Sequence, residues 1–355
     1  MKTLTLFTVL LCFSLFGRAQ DPGFSQYYAV PMFVNPAFVG DKQDMNIGIN
    51  NRTFTNKQLA QYNLTQISGI VPFDANFLYS STSETNHSSG VGITVYREAT
   101  GSHNELNSFA ALASVGHCIQ IERQHFLSFG LQGGYVRKTQ GDNFNWGSQY
   151  SEDFGYDPSI PSSVDGLLQS YSHFPTFGVG LEYFFNSGVV EDYFKAFDFD
   201  AYTGIAVYNV NRPNQSFFED SEARLPLIIK YNGGLKYRVS KRYALFPTVL
   251  WEHQNLNNQV NIGMYANIRT ILTEEVNKKA VNIIAGSWYR VGDSFIATLG
   301  FTVYDFKFAI SYDFNATNFE YNNKGKGATE ISLKYSIEMS GKRERYSRGL
   351  LYPSF

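Results

Sequence analysis

The chain has 355 residues and a formal net charge of −2, so its charge balance gives no argument for nucleic acid or for a strongly acidic partner. Charged residues make up 17% of it, against ~25% in ordinary soluble domains, while aromatic residues reach 16%, with 31 Phe and 24 Tyr. Mean hydropathy is only −0.23, and beyond the first nineteen residues no apolar run has the length of a membrane helix. Few charges, many aromatics and modest hydropathy fit a membrane β-barrel. Its strands alternate lipid-facing apolar residues with lumen-facing polar ones, and Tyr and Trp gather at the two interfaces.

Residues 1–19 read as a cleavable export signal. Lys2 gives a positive start, Leu4 to Phe16 is an apolar run of about 13 residues, and Gly17-Arg18-Ala19 offers the small residues a signal peptidase reads. Cleavage is expected before Gln20. The run is shorter than the ~20 residues of a spanning helix. Cys12 lies inside it and follows Leu11, where lipid attachment wants a small residue, so Cys12 is assigned to the discarded signal. One cysteine then remains, Cys118, which allows neither an intramolecular disulfide nor a cysteine zinc site.

Gln20 to Gly40, QDPGFSQYYAVPMFVNPAFVG, follows. It carries neither the helical nor the strand period. Asp21 and Asn35 precede prolines, which favours extended or turn backbone. Barrel construction does not require this segment. Phe24, Tyr27, Tyr28, Phe33 and Phe38 make it costly to leave in water, so it is expected to be extended and to dock in the barrel lumen or across its periplasmic mouth.

From residue 45 onward the pattern is strands. Phe306, Phe308, Ile310, Tyr312 and Phe314 alternate with Lys307, Ala309, Ser311 and Asp313. Ile331, Leu333, Tyr335, Ile337 and Met339 alternate with Glu330, Ser332, Lys334, Ser336 and Glu338. Ile229, Tyr231, Leu235, Tyr237 and Val239 share a face opposite Lys230, Asn232, Lys236 and Arg238. A period of two held over nine or more residues predicts strands. About fourteen such segments occur, near 45–54, 62–70, 90–97, 107–120, 125–137, 174–186, 200–208, 227–240, 242–251, 260–272, 280–291, 294–303, 306–314 and 328–339. Most match the ~9–11 residues of a tilted membrane strand, and the count is even, as in single-chain bacterial barrels. The expected fold is therefore all-β, a transmembrane outer-membrane β-barrel of about 14 antiparallel strands over residues 41–340. A soluble sandwich would also alternate, but would not need so many aromatics opposite Lys, Glu and Arg.

With the N-terminus periplasmic, the tight turns at Glu122–Gln124, Ser240–Lys241 and Tyr304–Asp305 fall on the periplasmic side. The long loops Lys138–His173, Asn209–Pro226 and Asn315–Gly327 then lie outside, the usual asymmetry. Val71–Ser89 and Ser187–Phe199 break this rule as long periplasmic segments, and Gly292-Asp293 as a short external turn. Residues 341–355 read as a basic periplasmic tail, with Lys342, Arg343, Arg345 and Arg348 against Glu344. Phe355 resembles a barrel assembly signal, yet Pro353 and the basic run make a poor strand, so 328–339 is taken as the closing strand.

No catalytic constellation emerges, and no cofactor, metal or enzymatic activity is expected. Glu122 and His125 sit in a turn. His87, His103, His117, His173 and His253 have no partner at metal-ligand or nucleophile spacing. Gly178 and Gly180 lack the strand-turn-helix setting of a phosphate loop and read as relief for aromatic packing or curvature. The loop holding Asp142, Glu152, Asp153, Asp157 and Asp165 has no calcium-loop spacing and reads as a solvated surface loop, where Trp146 and Tyr150 are ordinary interface aromatics.

Gln20-Asp21-Pro22, Phe24-Ser25-Gln26-Tyr27, Asn35-Pro36-Ala37 and Gly40 resemble the N-terminal signature of the PorP/SprF family of outer-membrane proteins tied to type IX secretion and gliding motility. Asn51-Arg52, Gly90-Val91-Gly92, Gly178-Val179-Gly180, Tyr312-Asp313-Phe314 and Glu330-Ile331-Ser332-Leu333 extend the resemblance, with Ala328-Thr329 where the family usually has Ser-His. The resemblance implies a non-enzymatic barrel in the cell outer membrane. Its implied partners are outer-membrane lipid, the C-terminal region of a secreted adhesin and periplasmic components of the secretion machine. Asp21, Pro22, Phe24, Ser25, Gln26, Tyr27, Asn35, Pro36 and Gly40 are the candidate partner-binding or plug residues. The alternative is a passive channel for small solutes, which needs an open, water-filled lumen.

Overall fold

Lipid outside and a filled interior impose a two-residue period on every strand, and the structure, a computed structural model, follows it around a closed wall. Residues 23–337 are described, apart from 42–43, 57–59, 74–86, 102–103, 123, 142–146, 152–154, 158, 163–169, 188–198, 220, 241, 271–280 and 317–326. The export signal, Asp21, Pro22, His103, Trp146, most of the acidic loop and the basic tail lie outside the described residues.

The wall begins with β1 (Met45–Asn56), β2 (Ala60–Phe73), β3 (His87–Thr100), β4 (Leu106–Glu122) and β5 (His125–Gln140). A small ribbon, β6 (Tyr150–Ser151) with β7 (Gly155–Tyr156), interrupts it. The wall resumes with β8 (Tyr171–Asn186), β9 (Phe199–Tyr208), β10 (Ile228–Arg238), β11 (Tyr243–Gln254) and β12 (Asn257–Arg269). It ends with β13 (Asn282–Arg290), β14 (Ser294–Val303), β15 (Phe306–Asn315) and β16 (Thr329–Ile337). Fourteen strands pair antiparallel with their wall neighbours, β5 meeting β8 across the ribbon. β1 closes on β16, from Met45 opposite Ile337 to Thr53 opposite Thr329.

β15 illustrates the two faces. Phe306, Ile310 and Phe314 are 51%, 41% and 49% exposed on the outer face, while Ala309, Ser311 and Asp313 are buried inside. The fourteen strands stand where alternation predicts them, but several run further. β4 and β5 extend to 17 and 16 residues. Beyond the bilayer, water rather than lipid meets the outer face, so strands continue after the hydropathic alternation fades.

We call the end where β1 begins the lower end. Strand direction then puts the strand ends Phe73 and His87, Glu122 and His125, Asn186 and Phe199, Arg238 and Tyr243, Arg269 and Asn282, and Val303 and Phe306 at this end. The β13–β14 turn at the upper end is tight, and Gly292 meets its need for a positive φ of 74° without a Cβ penalty.

Candidate functional site

The site is the meeting of residues 23–41 with the inner wall. This segment is buried inside the barrel. It is not extended, as its prolines implied, but folds into three helical turns, Tyr27–Ala29, Pro31–Val34 and Pro36–Val39. Pro31 and Pro36 open the second and third turns, where a fixed φ and a missing N–H are harmless. Asn35 takes the extended backbone required before proline (φ −155°, ψ 122°), and its Oδ1 accepts the Ala37 N–H at 3.0 Å as a cap.

The segment descends from the upper half of the lumen to the lower end. At the top, the Gly23 carbonyl accepts from Arg52 of β1. Glu330 of β16 accepts the backbone N–H groups of Ser25 (2.6 Å) and Gln26 (3.2 Å). Ser25 Oγ donates to Asp313 of β15 (2.6 Å) and accepts from Arg290 of β13 (2.9 Å). Asp313 also holds Arg52 at 2.8 Å and Arg290 at 3.2 Å. Gln26 donates to Ser311 Oγ and the Glu330 carbonyl, and accepts from Ser332 Oγ at 2.6 Å. Charges of both signs are thus tied directly to the segment in a buried setting, where charge-assisted bonds are strongest.

Lower down, contact is mostly apolar. Tyr28 stacks on Trp288 at 5.1 Å between centroids, and Tyr27 shares a hydrogen bond with Thr248 at 2.6 Å. Phe38 meets Phe184 and Tyr202 edge-on or tilted. Each such buried ring contributes about 1.5–3 kcal/mol of transfer free energy. Asn35 Nδ2 then donates to Glu182 of β8 at 2.8 Å and to the Leu181 carbonyl at 3.0 Å, while Asn232 of β10 donates to both Glu182 oxygens.

The last turn rests on glycines. A Cβ at Gly130 of β5 would overlap the Pro36–Ala37 backbone, and one at Gly180 of β8 would overlap the Asn35 side chain and Pro36. Gly116 faces Gly40, and Gly90 faces Val39, in the same way. Of the two glycines read as relief for packing or curvature, Gly178 does face the Tyr208 ring, whereas Gly180 makes room for the Asn35 and Pro36 side chains of the segment. Ser128 Oγ completes the seat by donating to the Ala37 carbonyl at 2.6 Å.

Of the candidate residues, Phe24, Ser25, Gln26, Tyr27, Asn35, Pro36 and Gly40 all lie in this lumenal segment. Arg52, Gly90, Gly180, Asp313 and Glu330, far apart in sequence, converge on it. Sequence reading missed the wall-side roles of Glu182, Arg290 and Asp313. The available signal was the presence of charges at inward positions of strands. Among the described histidines, His87 stacks on His117, His173 on Tyr171 and His253 on Trp251. Among the described residues no group of three or more His, Cys, Asp or Glu could hold a metal ion. In the loop between β5 and β8 Asp157 accepts from both Ser159 N and Oγ, which holds its carboxyl below the usual carboxylate range.

A closed fourteen-stranded wall, apolar outside and filled within, defines an integral β-barrel of the outer membrane. The family model described as type IX secretion system membrane protein PorP/SprF matches residues 16–335, and the chain belongs to that family. Among curated proteins there is no match. Three solved structures are similar to this chain at low identity. A Pseudomonas aeruginosa FadL homologue is 10% identical with a TM-score of 0.48, over 88% of this chain and 94% of that one. The Pseudomonas putida toluene transporter TodX is 10% identical with a TM-score of 0.42, over 92% and 96%. The translocator domain of the autotransporter NalP from Neisseria meningitidis is 9% identical with a TM-score of 0.32, over 96% and 95%.

Proposed function

We propose that this barrel is a non-enzymatic component of the type IX secretion apparatus, closed by its own N-terminal segment. On this reading it binds or anchors the C-terminal region of a secreted surface adhesin, or couples that adhesin to periplasmic parts of the machine. Residues 1–19 are the export signal, 20–40 the plug, 41–340 the barrel and 341–355 a periplasmic tail. The lower end is periplasmic. The observation that carries the reading is the occupied lumen. A conduit keeps its interior for water and charged rings, whereas here residues 24–40 occupy it through hydrogen bonds to β8, β13, β15 and β16. A scaffold needs a rigid, sealed frame and two presentable ends, and membership in a secretion-system family supports partners within that machinery.

Affinity purification of the tagged chain from outer membranes tests this. The expected result is co-recovery of the C-terminal region of an exported protein, or of periplasmic secretion components, at near-stoichiometric yield. Recovery of the barrel alone, together with solute-selective conductance, would favour the passive channel.

A further inference from the structure

The outer wall changes character toward its upper edge on four neighbouring strands, β3, β4, β5 and β8. In mid-strand their outward positions are apolar, with Val91, Ile93, Val115, Phe129, Leu131 and Val179 all exposed. Above these stand Arg97, Phe109, Arg137 and His173, which pair in register across the same strands and are likewise exposed. β3 begins at His87 and β5 at His125, so Arg97 and Arg137 lie ten and twelve residues above the lower ends of their strands. At ~3.3 Å per residue and a tilt of ~40° that is about 25–30 Å, the height of the apolar band of a membrane barrel. Tyr135 and Tyr171 each lie 5.6 Å from His173 between ring centroids, the aromatic clustering of a membrane interface.

The two outward guanidinium groups differ from those inside. In the lumen Arg52 and Arg290 share the Asp313 carboxylate. Arg97 instead donates to the neutral Asn107 Oδ1 at 3.2 Å, and Arg137 lies over the Tyr171 ring at 5.1 Å. Among the described residues neither forms an ion pair. Glu105, just before β4, turns its carboxylate over Gly101. A guanidinium carries several N–H donors in a fork that matches phosphate, and most of them remain for an anion. One strand separates Arg97 from Arg137, so their backbones stand about 10 Å apart, with Phe109 between them.

We propose that this face binds the phosphorylated glycolipid of the outer leaflet, lipid A, with Arg97 and Arg137 on its phosphate groups and the apolar rows below against its acyl chains. A face four strands wide under two separated cations fits a headgroup with several chains and separated phosphates better than a two-chain phospholipid with one. The inference rests on the orientation given above, with the upper end outward, and not on the adhesin role. The test is native mass spectrometry of the detergent-held full chain titrated with bisphosphoryl lipid A, its dephosphorylated form and phosphatidylglycerol. Saturable binding of bisphosphoryl lipid A is expected, with the other two lipids at least about tenfold weaker, since charged hydrogen bonds are lost. The double variant Arg97→Gln/Arg137→Gln is expected to weaken lipid A about tenfold or more with the melting temperature retained. Arg212→Gln, at an exposed arginine in the β9–β10 loop, is expected to change nothing. Excess inorganic phosphate is expected not to displace the lipid, because it lacks the chains. Equal binding of the three lipids, displacement by phosphate alone or undiminished binding by the double variant would overturn the proposal. Orientation is read separately, by labelling Arg212→Cys on intact cells with a bulky maleimide that does not cross the outer membrane. Labelling only after permeabilisation would overturn the outer-leaflet assignment, whatever the lipid titrations give.

Discussion

Gly130→Leu is expected to expel the Pro36–Val39 turn from its seat and to destabilise the folded barrel by about 3 kcal/mol, the upper end of the usual overpacking range. The reason is geometric. The obstacle to a Cβ at Gly130 is the Pro36–Ala37 backbone, not the flexible end of a side chain. β5 is held along its length by β4 and β8, so the turn must give way rather than the wall. Losing the turn also frees the Asn35 cap and the contact of Phe38 with Phe184 and Tyr202. Gly133→Ala, three residues further along β5, is the matched control. Its Cβ would meet only the Phe177 ring at 3.2 Å on the outer face, and lipid can absorb that shift. Its expected effect is within ~0.5 kcal/mol. Reversible urea unfolding into vesicles separates the two, and equal midpoints for Gly130→Leu and Gly133→Ala would contradict the seating.

Asp313→Ala is expected to cost about 3–5 kcal/mol, the range for stripping the partner from a buried charge. Asp313 is the shared acceptor of Arg52, Arg290 and Ser25 Oγ. Removing it leaves two guanidinium groups in the lumen with reduced compensation. Arg290 keeps Asp293 at 2.9 Å, which places the effect toward the lower end of that range. Asp313→Asn retains acceptor geometry without the charge and should fall between the two. The same unfolding assay reads both, and a loss below ~0.5 kcal/mol for Asp313→Ala would show that the charges are solvated in the lumen.

The strands were legible because lipid applies one uniform demand to one face. Phe306, Phe308, Ile310, Tyr312 and Phe314 answer it at every second position, and nothing local competes. Strand ends were less so, as in β4 and β5, because that demand stops at the bilayer surface while backbone pairing does not. The destination of the opening segment could be inferred from its rings, which water disfavours, but its partners could not. Ser25 and Glu330 are 305 positions apart, and only closure of the wall brings them together. No period or spacing encodes such a contact. Gly180 misled for a related reason. An inward glycine in a strand looks the same whether it relieves a neighbouring ring, as Gly178 does at Tyr208, or makes room for a separate segment, as Gly180 does at Asn35 and Pro36. The three turns within 27–39 were hidden by prolines, which mark the start of a helical turn as readily as an extended stretch.

The central claim is that the barrel's own N-terminal segment closes it. Single-channel recording in planar bilayers compares the intact chain with a variant lacking residues 21–40. The account predicts a silent intact barrel and, on deletion, a stable open conductance of uniform size, with Gly130→Leu giving intermittent openings of the same size. A steady conductance through the intact chain that the deletion leaves unchanged would contradict it.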